Sequence, residues 1–138
     1  MLQRKKTQKK KPLKALTKKQ WRVLADTLWA KIVKDRAGRA CALCGSTFML
    51  EAHHMIAKGG CGYLRYSLEN GLCLCRVCHF RFHNIDSQAG WDWLRENRPD
   101  DYEYISSHKK KVCPTKSIGY YRDVIAFLEA AAKEELCA

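Results

Sequence analysis

Four of the five histidines and six of the eight cysteines of this chain lie between Cys41 and His83. The stretch reads CALCGSTFMLEAHHMIAKGGCGYLRYSLENGLCLCRVCHFRFH. Its residue types allow two chemistries. Two Cys-x-x-Cys pairs, Cys41/Cys44 and Cys75/Cys78, offer four thiolates, the donor set of a tetrahedral structural zinc. The pairs are separated by 30 residues, longer than a usual ribbon loop, so the interval must hold a hairpin of its own. Zinc bound in this way contributes about 10 kcal/mol to folding a small domain.

The second chemistry belongs to imidazoles. His79 and His83 are four apart on a predicted helix, which puts their Cβ atoms about 5–6 Å apart on one face. Such a pair can grip one ion. His53 and His54 are adjacent on a predicted strand and point to opposite faces. One can be a ligand while the other faces a substrate. Asn70, at the start of a second predicted strand, can bridge backbone across the intervening loop and so fix where the histidines point. A second structural zinc, or plain capping and packing, is the alternative use of these histidines.

Other readings of the cysteines compete. Cys75-Arg-Val-Cys78-His79 also matches a haem-attachment pattern, but such haem is attached outside the cytoplasm and leaves Cys41/Cys44 unexplained. A redox dithiol wants a βαβ setting that is not seen. Cys73 points to the same strand face as Cys75, but only Cys75 has the spacing to Cys78. Cys61, Cys73, Cys113 and Cys137 read as free thiols.

These groups need elements to hold them. Thr17-Lys-Lys-Gln20 has the form of a capping box. Behind it Trp21, Leu24, Ala25, Leu28, Ile32 and Val33 recur at helical spacing, which predicts a helix over 18–37 with Gly38 as its stop. Trp21 and Trp29 read as packing anchors rather than base-stacking residues. Arg39 to Thr47 is the first cysteine turn, Phe48 to Ile56 a strand, Ala57 to Ser67 a Gly-rich loop, Asn70 to Leu74 a second strand and Arg76 to Ile85 a helix. Trp91, Trp93 and Leu94 suggest a short helix ending near Pro99. Asp100 to Ser107 reads as an extension or a turn, and Ser106 to Lys116 as a basic loop. Tyr121, Val124, Ile125, Leu128 and Ala132 predict an amphipathic helix over 118–136. Tyr120, Tyr121 and Phe127 on it suit core packing, or a docking surface.

Composition bounds the class. The 138 residues carry 26 basic against 14 acidic side chains, a net charge of +12. A surface that basic favours a polyanion, nucleic acid first. Residues 1–16 form a basic tail, with Arg4, Lys5, Lys6, Lys9, Lys10, Lys11 and Lys14 and no acid, expected to be disordered in isolation and able to pair with phosphates. Residues 17–138 then form a single domain. No apolar run approaches the ~18 residues of a membrane span, and no secretory h-region is seen, which predicts a reducing cytoplasm. The tail equally suits a nuclear localisation signal.

Glu51-Ala-His53-His54-Met-Ile56, Leu68-Glu-Asn70-Gly-Leu72 and Cys78-His79-Phe-Arg-Phe-His83 together resemble the HNH endonuclease family, and the flanking Cys-x-x-Cys pairs resemble its zinc-bearing subset. The resemblance covers Cys41 to His83, just under a third of the chain. It implies a small α+β fold with a ββα-metal core (41–85) and a zinc knuckle, flanked by the two long helices. It implies DNA as partner and metal-dependent hydrolysis of phosphodiester bonds by a one-metal mechanism, leaving 5′-phosphate and 3′-hydroxyl ends. His53 and His79 match the metal ligands, His83 a third ligand of colicin-like members, His54 the general base and Asn70 the asparagine that orients it. The ion expected there is Mg²⁺, Mn²⁺, Ni²⁺ or Zn²⁺, beside a structural Zn²⁺ on the cysteines. The long Gly-rich loop departs from members with a proline soon after the histidines. Lys58, Arg65, Arg76 and Arg81 are candidates for phosphate contacts, and Lys109, Lys110 and Lys111 form a second basic patch. Small phage-encoded HNH proteins and recombination factors look similar overall, and in that setting the location is the bacterial cytoplasm. The rivals are a non-catalytic zinc-dependent nucleic-acid-binding module and a phage recombination accessory protein.

Overall fold

Thr17 opens the first helix. Its hydroxyl accepts from the Gln20 N–H at 3.3 Å, and the Gln20 carboxamide accepts from the Thr17 N–H at 2.9 Å. This reciprocal cap satisfies donors that a helix start cannot satisfy internally. The resulting α1 spans Lys18–Arg36. Next come β1 (Leu50–His54), β2 (Gly71–Cys75), α2 (Arg76–Asn84), α3 (Gln88–Asn97), α4 (Pro99–His108) and α5 (Ile118–Leu136). The computed structural model describes Pro12 and residues 15–137, so most of the basic stretch 1–16 lies outside the described residues. The architecture is small α+β, with five helices and a two-stranded antiparallel sheet among those residues. Among the described residues no helix is long and apolar enough to cross a membrane.

Several boundaries differ from the sequence reading: β1 ends at His54, before Ile56, and β2 runs Gly71–Cys75, one residue later than expected. β1 starts at Leu50, because Met49 takes φ 51, a left-handed conformation that cannot continue a strand. Ser106–His108 are helical, since Pro99 and the acids Asp100 and Asp101 start α4 as a full helix. The Gly-rich loop contains a 3₁₀ turn at Gly62–Leu64.

Two apolar clusters hold these elements. One gathers Leu64, Leu72, Leu74, Phe82, Leu94 and Ile105 around the hairpin, α2, α3 and α4, with Cys41, Cys75 and Cys78 at its edge. The other joins α1 to α5 through Trp21, Ala25, Trp29, Val33, Tyr121 and Leu128. Tyr121 is thus a core residue, while Phe127 stays exposed.

The hairpin sits between α1 and α2, and α1 reaches it only because Gly71 has no side chain. A Cβ there would lie 2.4 Å from Val33 Cγ2 and 3.1 Å from Trp29 Cζ2. Both neighbours are buried and Val33 is stiff at χ1, so the clash cannot be relieved by a rotamer change. Gly71→Ala is expected to destabilise the fold by about 1–3 kcal/mol, as overpacking does, read as a lower urea midpoint at unchanged slope. An unchanged midpoint would show that α1 does not pack this closely.

Candidate functional site

The thiolate cluster forms where three pieces of backbone meet. Gly45, at φ 75, turns the chain so that its N–H donates to the Cys41 carbonyl at 2.8 Å, closing the first knuckle. The Ala42 N–H donates to the Cys73 carbonyl at 2.9 Å and ties that knuckle to β2. Cys75 ends β2 and caps α2, its Sγ accepting from the Cys78 N–H at 3.4 Å. The sulfurs of Cys41, Cys44, Cys75 and Cys78 all lie within 4.8 Å of one another, with Cys44 and Cys75 3.6 Å apart. Tetrahedral zinc at 2.3 Å from each sulfur sets them about 3.8 Å apart. Burial pushes the Cys78 thiol up, and the neighbouring thiols add to the rise. Burial also raises Cys41, but N–H donors from Cys75, Cys44 and Leu43 outweigh it and bring the thiol down to about 7. Four sulfurs at this spacing match the corners of a tetrahedral site, so the residues present fit a structural metal such as zinc. Cys73 is buried outside the cluster.

The imidazoles are sorted by strand alternation. In β1, His53 pairs with Leu72 and His54 with Gly71, so the two rings leave the hairpin on opposite sides. His53 meets α2, with ring centroids 4.9 Å from His79 and 5.0 Å from His83. One nitrogen from each of these three residues falls within 4.8 Å of the others, and His79 Nε2 is 3.2 Å from His83 Nε2. His53 is 2% exposed, and its Nε2 has no hydrogen-bond partner among the described residues. Burial, then the charges of His79 and His83, push His53 down to about 3, which keeps it in the neutral, metal-binding form. An orphaned buried nitrogen beside two more imidazoles fits a divalent ion.

His54 faces α1. Its ring stacks on Trp29, centroids 3.8 Å apart and planes within 11°. Its Nε2 lies 2.8 Å from the Arg65 carbonyl. A carbonyl only accepts, so Nε2 carries the proton and the neutral ring keeps its lone pair on Nδ1. Burial pushes this ring down to about 4, opposed by the Arg65 bond. His54 nevertheless shares a cavity of about 270 Å³ with His53, His79, His83 and Lys58.

Asn70 is fully buried, and its amide braces the loop. Its Oδ1 accepts from the Ile56 N–H at 2.8 Å, while Nδ2 donates to the carbonyls of Ile56 at 3.0 Å and Leu64 at 3.2 Å. Among the proposed phosphate contacts, Lys58, Arg76 and Arg81 are exposed. Lys58 lines the imidazole cavity, whereas Arg81 borders a cleft beside Cys44 and Cys78. Arg65 is a correction. Its guanidinium is 14% exposed and bound at 2.8–3.1 Å by both oxygens of Asp26, so it is spent on the fold and not free for a phosphate.

Four supporting residues escaped the sequence reading. Glu51 Oε2 takes His79 Nδ1, which turns His79 Nε2 toward His83. Its signal was available, since Glu51 stands two residues before His53 and shares its strand face. Trp29 read only as a packing anchor of the first helix, and Asp26 carried no signal of its own. Arg98 donates to the carbonyls of Gly71 at 2.8 Å, Leu68 at 3.3 Å and Glu69 at 3.2 Å, bracing the turn that carries Asn70. Glu51→Gln is expected to weaken divalent-ion binding at the imidazole cluster about 10–100-fold, as loss of a carboxylate behind a ligating histidine does. Calorimetric titration of the zinc-loaded protein with Mn²⁺ or Ni²⁺ reads this. Unchanged affinity would make Glu51 a bystander.

No family model, curated protein or solved structure matches the chain.

Proposed function

We propose that this chain is a metal-dependent DNA endonuclease of the ββα-metal type, resembling the HNH family in its β1–β2–α2 segment. The observation that carries the reading is the placing of His54. It shares a cavity with three clustered imidazoles yet is not one of them, and its Nε2–H is already committed to Arg65. A module that only bound metal or nucleic acid has no use for such a histidine.

In this mechanism His53, His79 and His83 would hold the active-site divalent ion. Bound there, it would supply the positive charge that eases attack on an anionic phosphodiester and departure of the leaving group. His54 Nδ1 accepts the proton of the attacking water, a task suited to a neutral imidazole. Asn70 keeps the loop, and with it the Arg65 carbonyl, in register. Glu51 keeps the His79 ring turned inward. Lys58 offers the phosphodiester a positive charge at the cavity mouth. The cysteine cluster takes no part in the chemistry and holds the start of α2.

The test is nicking of supercoiled plasmid by purified zinc-loaded protein with Mg²⁺, Mn²⁺, Ni²⁺ and Zn²⁺ in turn. Relaxed circles with 5′-phosphate ends, abolished by chelation of the added ion, support the reading. DNA binding without cleavage under every ion would favour the non-catalytic binding module instead.

A further inference from the structure

We propose that Trp29, with Asp26 one turn before it on α1, is a positioning residue for His54, fixing both the plane of its ring and the carbonyl that selects its tautomer. The kinetic consequence rests on the endonuclease reading; the structural consequence does not.

Two restraints act on the His54 ring, and they do different things. The stack on Trp29, 3.8 Å between centroids and 11° between planes, stops the ring tilting but does not distinguish its two flips. The bond from Nε2 to the Arg65 carbonyl at 2.8 Å selects the flip and the tautomer, but alone it would allow a tilt. Together they leave Nδ1 one direction.

The acceptor carbonyl is not on a rigid element. It belongs to the long loop between the strands, and α1 clamps that loop at Arg65 itself and two residues further on. Asp26 grips the Arg65 guanidinium with both oxygens, and Trp29 Nε1 donates to the Ser67 carbonyl at 3.0 Å. Asp26 and Trp29 are three apart, so one helix face does both jobs. Trp29 therefore uses its ring face and its N–H at the same site, and a residue that only filled the core would need neither the parallel stack nor the N–H. Behind Trp29 stands the α1–α5 cluster with Tyr121 and Leu128. The carboxy-terminal helix thus bears on His54 by the same route, although it lies outside the strand–strand–helix segment.

Three variants of the full, zinc-loaded chain test this. Trp29→Phe keeps an aromatic face and loses the N–H. Trp29→Leu loses both. Asp26→Asn weakens the loop clamp and leaves the Trp29 ring in place. The primary readout is the ring-nitrogen spectrum of His54 in ¹⁵N-labelled protein. A single Nε2–H tautomer is expected in the wild type, a mixture in Trp29→Leu and Asp26→Asn, and a mostly preserved tautomer in Trp29→Phe. Plasmid nicking should lose about 10–100-fold in kcat in Trp29→Leu at unchanged KM, with partial recovery in Trp29→Phe, as a small misplacement of a reacting group costs. Should Trp29→Leu fail to fold, the other two variants decide. Folded variants that keep the single tautomer and the wild-type rate would overturn the proposal. A wild type that cleaves nothing, while its variants still scramble the tautomer, would retain the positioning role and discard the endonuclease reading.

Discussion

His54→Ala is expected to lower plasmid nicking by roughly 10²–10⁴-fold, the contribution of a well-placed general base. The variant should keep its fold. The truncation forfeits one aromatic contact of about 0.5–1.5 kcal/mol and leaves the Arg65 carbonyl beside a cavity that opens to solvent. It should also keep its metal, because His54 is not among the imidazoles whose nitrogens converge. Added metal should therefore not rescue it. His79→Ala provides the contrast: there the loss is of affinity, and excess divalent ion should restore part of the rate. The pair of responses separates a proton acceptor from a ligand, which a single inactive variant does not. Wild-type nicking by His54→Ala would remove the base from the mechanism. Rescue of it by metal would reassign His54 to the ligand set.

How far the sequence led depended on how local each constraint is. Spacing alone selected Cys41, Cys44, Cys75 and Cys78, because a metal knuckle is written in consecutive residues and the two pairs need only meet once. The i,i+4 relation of His79 and His83, and the opposite facing of His53 and His54, follow from helix and strand periods. The helix over 118–136 was legible from its apolar period, while the Ser117 hydroxyl that caps it, accepting from the Tyr120 N–H at 3.1 Å, went unread. What escaped was contact between distant elements. Periodicity marks Trp29 as belonging to an apolar face but does not say that the face meets a histidine 25 residues later. Arg65 looked like one more surface cation until the fold brought Asp26 against it. Arg98 carries no local sign that it will brace backbone about thirty residues upstream, since the donors of a guanidinium match any cluster of carbonyls. Fully buried Asn70 lies between these cases. At the start of a strand its amide reads as a bridge to backbone across the loop, while which groups it meets, those of Ile56 and Leu64, depends on the path of the whole loop.

Withholding the metal that the four cysteines fit is expected to have a different kind of effect from losing any histidine. Cys75 occupies the junction at which β2 becomes α2, and its sulfur both caps that helix and faces Cys44. The hairpin supplies His53 and the helix supplies His79 and His83, so this junction sets the distance between the two halves of the imidazole cluster. A structural zinc contributes about 10–16 kcal/mol. That is of the same size as the entire stability of a typical domain, about 5–15 kcal/mol. Cys75→Ser should therefore abolish cooperative unfolding of the hairpin and α2, lose one equivalent of tightly held zinc, and remove cleavage under every added ion. Strong chelators should do the same to the wild type, reversibly on return of zinc. His83→Ala, by comparison, should melt cooperatively with its zinc in place, because His83 is exposed and stands outside the apolar clusters. Circular dichroism with zinc quantitation on the two variants reads the contrast. A Cys75→Ser protein that melts like the wild type and keeps its full zinc content would show that the sulfurs do not build the scaffold. The site would then have to owe its geometry to the α1 clamp and the apolar clusters alone.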